Sequence, residues 1–291
     1  MPSPSSAVLL ISSHVARGSV GNRAMVFALE RLGFTVWAVP TVLLPHHPGH
    51  GRAERIAIDD KAFAGLLDCL CESGGAANVA GIVSGYLASA GQAQAVAGIV
   101  QKIKAARPDA LYLCDPVIGD AGKLYVGEAL AEEIRDALLP LADIVTPNAF
   151  ECAWLAGAAP AEGADLARLA RRLSTPAALV TSAPALMRGA IGNLLVTAGE
   201  TILFEHPKLE TPVKGTGDLL AALLLARKLG GHDWPKAAEM ALSSVFEMVA
   251  GSARAGADEL MLAELQDSLA HPHASITVRR MQGDRRSPSA R

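Results

Sequence analysis

The chain has 291 residues, of which 51% are hydrophobic and only 4% are aromatic, and its formal net charge is −3. This length fits one large α/β domain or two ordinary ones, and the weak negative charge argues against a general nucleic-acid binder. The cysteines (Cys69, Cys71, Cys114 and Cys152) match no zinc-binding spacing and are too few for a disulfide framework. We therefore expect reduced thiols and a cytoplasmic protein.

The sequence predicts neither a signal peptide nor a membrane-spanning helix. The N-terminal stretch MPSPSSAVLLISSH has no basic start and no long apolar run. No stretch reaches about 18 apolar residues without a break.

Short apolar runs alternate with helical patterns from residue 7 onwards. Strands are predicted at 7–12, 34–39, 79–85, 110–115, 143–146 and 177–182, and helices at 22–33, 60–72, 92–107, 128–139, 148–157 and 164–173. A hairpin with Gly199 at its turn is predicted after residue 190, followed by helices at 216–229, 235–252 and 258–270. This alternation predicts one α/β domain over residues 1–271, with a mostly parallel sheet covered on both faces. Residues 272–291 contain five arginines together with Pro and Ser, which predicts a disordered tail.

Polar residues follow almost every predicted strand. The segments are SSH, PT, SGY, CDPVIGD, TPNAFE and TSAP, in chain order. Ligands of open α/β sheets bind outside the carboxyl ends of the strands. The sequence therefore predicts a ligand site at that edge.

The segment KGTGD begins a helix with Gly215, Thr216, Gly217 and Asp218. Backbone N–H groups at a helix start have no partner within the helix, and glycines let an anion approach them closely. The segment suits a phosphate or a transferring phosphoryl group, with Asp218 as an acceptor for a hydroxyl proton. The alternative is a glycine-containing loop with an aspartate that only caps the helix. No Walker or protein-kinase motif accompanies it.

Two further segments carry oxygen ligands. Asp115 and Asp120 lie in CDPVIGD, and Asn148 and Glu151 lie in TPNAFE, three residues apart on the first turn of a helix. Such oxygens suit Mg²⁺ beside a nucleotide. The alternative is helix capping by Asn148 with a surface carboxylate at Glu151.

Three other features are candidates for binding a small ligand. Ser13 follows the first strand, and Tyr86 follows the third, where its ring can stack on an aromatic ligand. Ordinary turn and packing roles are the alternatives for both. The Pro/Gly-rich segment 44–51 holds three histidines and is interpreted as a mobile loop over a ligand rather than a metal site.

These segments together resemble the ribokinase-like superfamily, and within it the pyridoxal kinases of vitamin B6 salvage. The resemblance is carried by SHVARGSVGNRA, PTV, SGYL, DPVIGD, YV, TPNAFE, VTS and GTGDLLAALLL, in that order from residue 7 to about 250. It implies a three-layer α/β/α fold, a homodimer, and ATP-dependent phosphorylation of the 5′-hydroxymethyl group of pyridoxal, pyridoxine and pyridoxamine.

The resemblance also implies roles for individual residues. Asp218 is the matched base, and the backbone of Gly215, Thr216 and Gly217 is the anion hole. The matched substrate residues are Ser13, Thr41, His47 and Tyr86. The matched nucleotide residues are Asp115, Asn148, Glu151, Thr181, Ser182 and Thr216. Asp120 and Glu151 match a Mg²⁺ site, and Asp115, Thr146 and Thr181 match a K⁺ or Na⁺ site of some relatives.

Two other functions fit the same sequence. One is a hydroxymethylpyrimidine kinase of the same superfamily, alone or as a bifunctional enzyme. The other is a non-catalytic protein that binds vitamin B6, against which the intact GTGD segment argues.

Overall fold

A computed structural model of the chain describes residues 6–158 and 165–281. Its strands are β1 (Ala7–Val15), β2 (Thr35–Leu44), β3 (Ile56–Ala57), β4 (Val79–Ser84), β5 (Leu111–Cys114), β6 (Gly119–Asp120), β7 (Lys123–Leu124), β8 (Ile144–Val145), β9 (Ala177–Ala183), β10 (Ala190–Thr197), β11 (Thr201–Pro207) and β12 (Thr277–Met281). Its α-helices are α1 (Asn22–Arg31), α2 (Asp60–Cys71), α3 (Gly75–Asn78), α4 (Ala90–Ala106), α5 (Glu128–Glu133), α6 (Ala149–Leu155), α7 (Leu166–Ala170), α8 (Thr216–Leu229), α9 (Trp234–Arg254) and α10 (Asp267–Ala270).

Ten of these strands form one sheet in the order β12-β11-β10-β9-β8-β5-β4-β1-β2-β3. The six strands from β9 to β2 are parallel, and antiparallel strands extend the sheet at both edges. Strands β6 and β7 form a separate hairpin. The predicted, mostly parallel sheet is therefore confirmed.

Helices cover both faces of the sheet, because its central strands are apolar on both sides. One buried cluster joins the sheet to α2, α4, α5, α6 and α7, and contains Phe63 and Tyr112. The other joins it to α1, α8, α9 and α10, and contains Met25 and Phe204. The three-layer α/β/α architecture is thus confirmed.

The two strands nearest the site are longer than predicted. Strand β1 continues through Ser13 to Val15, and β2 continues through Thr41 to Leu44. Their register shifts between Ser12 and His14, where β2 carries one extra residue. Such a bulge redirects side chains locally, so Ser13 and Thr41 lie at an irregularity within the sheet rather than in loops after it.

The prediction of a disordered tail is wrong for its first part. Residues 277–281 form β12, which pairs antiparallel with β11. Arginine content suggested disorder, but Arg279 forms an ion pair with Glu205 at 2.7 Å and Arg280 pairs with Glu200 at 2.6 Å. Residues 282–291 lie outside the described residues.

Two predicted helices differ in the structure. Only Asp267–Ala270 of the predicted helix 258–270 is helical. Glu259 instead forms a backbone bridge to Lys214, just before α8, and residues 262–266 form turns. The predicted helix 128–139 is α-helical over Glu128–Glu133 and then changes to a π turn and a 3₁₀ turn around Pro140. Proline lacks the N–H that a regular helix requires.

All four cysteines are free thiols, as expected. Within residues 6–158 and 165–281, every helix is too short or too polar to cross a bilayer.

Candidate active site

The first turn of α8 lies against the loops that follow β1 and β4. Asp218 is partly buried there and accepts a hydrogen bond from the backbone N–H of Gly21. A Cβ atom at Gly85 would lie 3.9 Å from Asp218 Oδ1, so the loop after β4 passes close to the carboxylate. Burial raises the pKa of Asp218, whereas the Gly21 hydrogen bond lowers it. The helix start and the acid of its first turn therefore face the carboxyl edge of the sheet.

Two glycines permit this close packing. Gly215 is the N-cap of α8 with φ of 86°, and a Cβ atom there would lie 2.2 Å from the carbonyl oxygen of Ser19. Gly21 has φ of 56°, and its Cβ would lie 2.3 Å from the carbonyl oxygen of Ser13. Any side chain would displace the backbone at either position, so both glycines are required for the geometry around Asp218.

An acidic cluster adjoins the same helix start. Asp115 is buried at the end of β5 and accepts a 2.8 Å hydrogen bond from the hydroxyl of Thr146. A Cβ atom at Gly217 would lie 4.0 Å from Asp115 Oδ2. Burial raises the pKa of Asp115 well above its usual range, and the nearby charges of Glu151 and Asp218 raise it further. These closely spaced carboxylates are therefore a candidate cation site.

Asn148 and Glu151 form a capping box at the start of α6. Asn148 Oδ1 accepts the N–H of Glu151 at 2.9 Å, and Glu151 Oε2 accepts the N–H of Asn148 at 2.9 Å. Glu151 is 4% exposed, so it is not the surface carboxylate of the capping alternative. Its other oxygen accepts the N–H groups of Ile118 and Gly119 at 2.9 and 3.2 Å. Asn148 therefore caps α6, as the alternative interpretation predicted. Glu151 is, however, a buried carboxylate at the candidate site.

Burial raises the pKa of Glu151 to about 7, although its three backbone hydrogen bonds lower it. Asp120 is exposed nearby, accepts the N–H of Ala121 at 2.7 Å, and further raises the pKa of Glu151. Among residues 6–158 and 165–281, no three His, Cys, Asp or Glu side chains are grouped closely enough to hold a metal ion by themselves. The hard oxygen atoms of Asp115, Asp120 and Glu151 nevertheless fit Mg²⁺, which usually keeps waters and substrate phosphates as its other ligands.

The predicted nucleotide residues Thr181, Ser182 and Thr216 line one cavity of about 290 Å³. Gly217 also lines it, which connects the cavity to the anion-binding turn. Asn148 is joined to the cavity wall by a backbone bridge to Thr181. The structure therefore brings these predicted nucleotide residues together from three separate segments.

The predicted substrate residues Ser13, Thr41 and Tyr86 lie on β1, β2 and the loop after β4, which adjoin Asp218 through Gly21 and Gly85. The Thr41 hydroxyl donates to the carbonyl oxygen of Tyr86 at 2.7 Å, so it holds the loop after β4 in place. The N–H of Tyr86 donates to the hydroxyl of Ser12 at 3.2 Å. Ser13 is buried beside Gly21, which binds Asp218. These residues form one continuous wall from β1 to the loop after β4.

His47 belongs to the 44–51 loop near Lys214. Its Nδ1 accepts the N–H of Gly49 at 3.0 Å and caps a short 3₁₀ turn. Burial lowers the pKa of His47, and the charge of Lys214 lowers it further. Because Lys214 directly precedes Gly215, the loop lies beside the start of α8.

A larger cavity of about 870 Å³ lies elsewhere, between α1 and residues 257–264. It is lined by none of the predicted site residues. Chemistry, rather than size, therefore identifies the candidate site.

The chain is similar to known kinases over almost all of its length. Residues 42–262 match the sequence model of the family described as phosphomethylpyrimidine kinase. A pyridoxal kinase PdxY from Rubrobacter xylanophilus is 36% identical over 281 residues, which cover 94% of this chain and 97% of that protein. A second one, from Corynebacterium diphtheriae, is 33% identical and covers 93% of this chain and 98% of its own.

The chain belongs to the pyridoxal kinase family.

Solved structures agree with this membership. The pyridoxal kinase of Leishmania donovani in complex with ADP and pyridoxamine superposes with a TM-score of 0.87 at 30% identity, covering 95% of this chain and 99% of that one. The pyridoxal kinase of Entamoeba histolytica superposes with a TM-score of 0.87 at 25% identity, covering 95% of this chain and 100% of that one. The ribokinase-like fold expected from the sequence is therefore confirmed.

Two residues near the candidate site, Tyr125 and Asn193, were not predicted from the sequence. Tyr125 is half-exposed, and partial burial raises its pKa, which the carboxylates of Glu151, Asp115, Asp120 and Asp218 raise further. Its segment YV contributed to the family resemblance but suggested no role. Asn193 lines the 290 Å³ cavity. Asn193 could have been noticed in the sequence as a single amide inside the apolar strand GNLLVT.

Proposed function

We propose that this member of the family phosphorylates the 5′-hydroxymethyl group of pyridoxal with ATP, using Asp218 as the base. The observation that carries the proposal is the position of Asp218. It lies in the first turn of α8, close to Gly85, which precedes Tyr86, and next to Gly217, where a Cβ atom would lie 4.0 Å from Asp115 Oδ2. A hydroxyl on one side and a phosphoryl group on the other would meet at this carboxylate.

Residues of the chain supply three functions in this scheme. The Asp218 carboxylate accepts the hydroxyl proton as the oxygen attacks the γ-phosphorus, and its elevated pKa favours that acceptance. The N–H groups of the Gly215–Gly217 turn stabilise negative charge on the transferring group, because they have no partners within the helix. The loose transition state of phosphoryl transfer makes positioning and electrostatics the main contributions.

We assign the remaining predicted residues to the two substrates and the ions. Ser13, Thr41, His47 and Tyr86 hold the pyridine ring of pyridoxal, pyridoxine or pyridoxamine. Asp115, Asn148, Glu151, Thr181, Ser182 and Thr216 hold the nucleotide. The pyridoxal kinase of Leishmania donovani, solved in complex with ADP and either pyridoxamine or pyridoxine, supports a nucleotide and a vitamin B6 vitamer as the two ligands.

We assign Mg²⁺ to the acidic cluster near Asp120 and Glu151. Bound Mg²⁺ would neutralise phosphate charge. Both Glu151 oxygens already accept backbone N–H groups, so Glu151 would act through a water molecule. A K⁺ or Na⁺ site at Asp115, Thr146 and Thr181 is supported by the contact between Asp115 and Thr146 and by the 2.8 Å bond from the Thr181 N–H to the Pro147 carbonyl oxygen.

The decisive experiment replaces Asp218 by Asn. This nearly isosteric change removes the proton acceptor, so we expect kcat with pyridoxal to fall on the order of 100-fold or more. Binding of pyridoxal and of ADP, measured by calorimetry, should persist. The wild type in Mg-ATP and K⁺ is the reference, with ADP release as the readout. Near-normal turnover in the variant would remove Asp218 from the base role, and binding without turnover in the wild type would favour the vitamin B6 binding protein.

Hydroxymethylpyrimidine phosphorylation is the second candidate, because the matching family model is described by a pyrimidine substrate. The same assay separates the two candidates when pyridoxal and hydroxymethylpyrimidine are supplied in turn. A higher kcat/KM for the pyrimidine would reverse the assignment.

We also infer a single cytoplasmic domain that forms homodimers. The one ten-stranded sheet across the described ranges supports the single domain, and the free thiols are compatible with the cytoplasm. Leu43 and Ile56 are exposed to 39% and 67% at the β2–β3 edge, which offers an apolar surface to a second copy. Light scattering on the purified protein distinguishes one chain from two.

A further inference from the structure

Asn193 is a buried amide in a strand that is otherwise apolar. It lies in β10, where its neighbours Leu194 and Leu195 pack into the clusters on opposite faces of the sheet. Side chains alternate along a strand, so Asn193 shares the Leu195 face, towards α8 and α9. Its side chain is 5% exposed, and Nδ2 has no hydrogen-bond partner in the described part of the chain.

The amide borders the 290 Å³ cavity assigned above to the nucleotide. His206 and Phe246 line the same cavity, with ring centroids 5.1 Å apart. His206 Nδ1 lies 3.1 Å from the carbonyl oxygen of Pro207, and burial lowers the pKa of the ring, which favours neutral imidazole. Aromatic faces of this kind suit a flat heterocycle.

A buried hydrogen-bond donor without a partner destabilises the folded protein, and a ligand that accepts this hydrogen bond removes the destabilisation. A water molecule could satisfy the amide, but so could a heterocycle with an acceptor next to a donor. Adenine has that arrangement, with its 6-amino group beside a ring nitrogen. The amide can donate to the ring nitrogen and accept from the amino group, as asparagine does with adenine in nucleic-acid recognition.

We propose that Asn193 determines the base preference of this kinase by pairing with the 6-amino edge of the adenine of ATP. The inference rests on the proposed function, which places the nucleotide in this cavity. Leu220, Leu242 and Val245 belong to the apolar part of the lining, and Thr181, Ser182 and His206 are polar groups on its strand side. Asn193 differs from these in carrying a buried amide, whose donor and acceptor together can select among bases of similar shape.

The test compares ATP with purine riboside 5′-triphosphate, which lacks only the 6-amino group, at saturating pyridoxal. We expect the wild type to use the analogue with a kcat/KM about tenfold lower. In Asn193→Leu the KM for ATP should rise about tenfold, the two nucleotides should become equivalent, and the KM for pyridoxal should not change. Leu220→Met is the matched control, since it alters the same cavity without a polar group and should affect both nucleotides equally.

Equal use of the two nucleotides by the wild type would overturn the proposal even if Asn193→Leu did not fold, and would mean that the amide holds only water. Retention of the wild-type preference in Asn193→Leu would overturn it too, by showing that another group reads the base. Absence of pyridoxal turnover with ATP would instead contradict the proposed function. In that case calorimetry with ADP and purine riboside diphosphate still tests Asn193, because a tenfold difference in Kd that Asn193→Leu abolishes is expected.

Discussion

At the scale of single residues, the site is dominated by acids held close together inside the protein. Asp115, Glu151 and Asp218 each have a raised pKa, and burial is the largest cause in every case. Their mutual repulsion is a cost in the free protein that a bound cation would relieve. The acids of the candidate site therefore also make stability depend on pH.

The raised pKa of Glu151 sets the sign of this dependence of stability on pH. Its pKa rises from 4.5 to about 7 on folding, so the folded state holds the proton more tightly than the unfolded state. Its contribution to stability is present below about pH 4.5 and is lost as the pH rises through about 7. The loss is on the order of 3 kcal/mol at most.

We therefore expect the free energy of unfolding of the ligand-free protein to decrease between about pH 5 and pH 8, and to decrease less in Glu151→Gln. Urea denaturation at several pH values across this range measures the free energy of unfolding. Glu128→Gln is the control, because Glu128 also lies in the first turn of a helix but is exposed. An equal slope in wild type and Glu151→Gln would show that Glu151 does not titrate there.

At the scale of elements, α8 is the helix on which the site depends. Its N-terminus provides the anion-binding turn and Asp218, while Leu219 to Ala226 are buried between the sheet and neighbouring helices. The buried part fixes the axis, and Gly215 fixes how closely the first turn approaches Ser19. The packing of α8 thus positions Asp218 and the backbone N–H groups of the first turn.

Glycines near the two ends of α8 allow a matched comparison. Gly215→Ala would place a Cβ 2.2 Å from the Ser19 oxygen, whereas a Cβ at Gly231, where φ is 94°, would meet no described heavy atom within 4 Å. Both variants should lose about 1 kcal/mol or more from left-handed backbone strain. Only Gly215→Ala should also lower kcat, on the order of 100-fold. Urea unfolding and steady-state kinetics provide the two readouts, and equal kcat in the two variants would contradict the role of Gly215.

At the scale of the whole molecule, the C-terminal strand completes the sheet. Glu205 is fully buried in β11, where it accepts the N–H groups of Leu186 and Met187 at 2.6 and 2.7 Å and pairs with Arg279 of β12. A buried carboxylate is stable only with such partners. Residues separated by 74 positions are therefore joined across the edge of the sheet.

Arg279→Ala should lower Tm by about 3 °C or more, because it removes the cationic partner of a buried acid. Arg280→Ala should change Tm by about 1 °C or less, since Arg280 is 74% exposed and pairs at the surface. Differential scanning calorimetry compares these adjacent arginines directly. Equal shifts would mean that Glu205 is satisfied by its backbone partners alone.

The layered α/β architecture, the edge of the sheet with the candidate site, and the family could all be predicted from the sequence. Apolar strands and helical patterns are local signals, and the motifs DPVIGD, TPNAFE and GTGD occur in continuous segments. The conformation of residues 258–266 and 277–281 could not be predicted from local patterns. Glu259 pairs with the distant Lys214, and Arg279 pairs with Glu205 of β11.

The same distinction applies within the site. Asp218 was identifiable because its glycines and helix are adjacent in the chain. Two other features could not be identified from the sequence, namely the burial of Glu151 and the lack of a partner for the Asn193 amide in the described part of the chain. Both result from segments that meet only in the folded protein. Short-range sequence patterns record backbone preferences, whereas desolvation and hydrogen-bond satisfaction are set by all the neighbours in space.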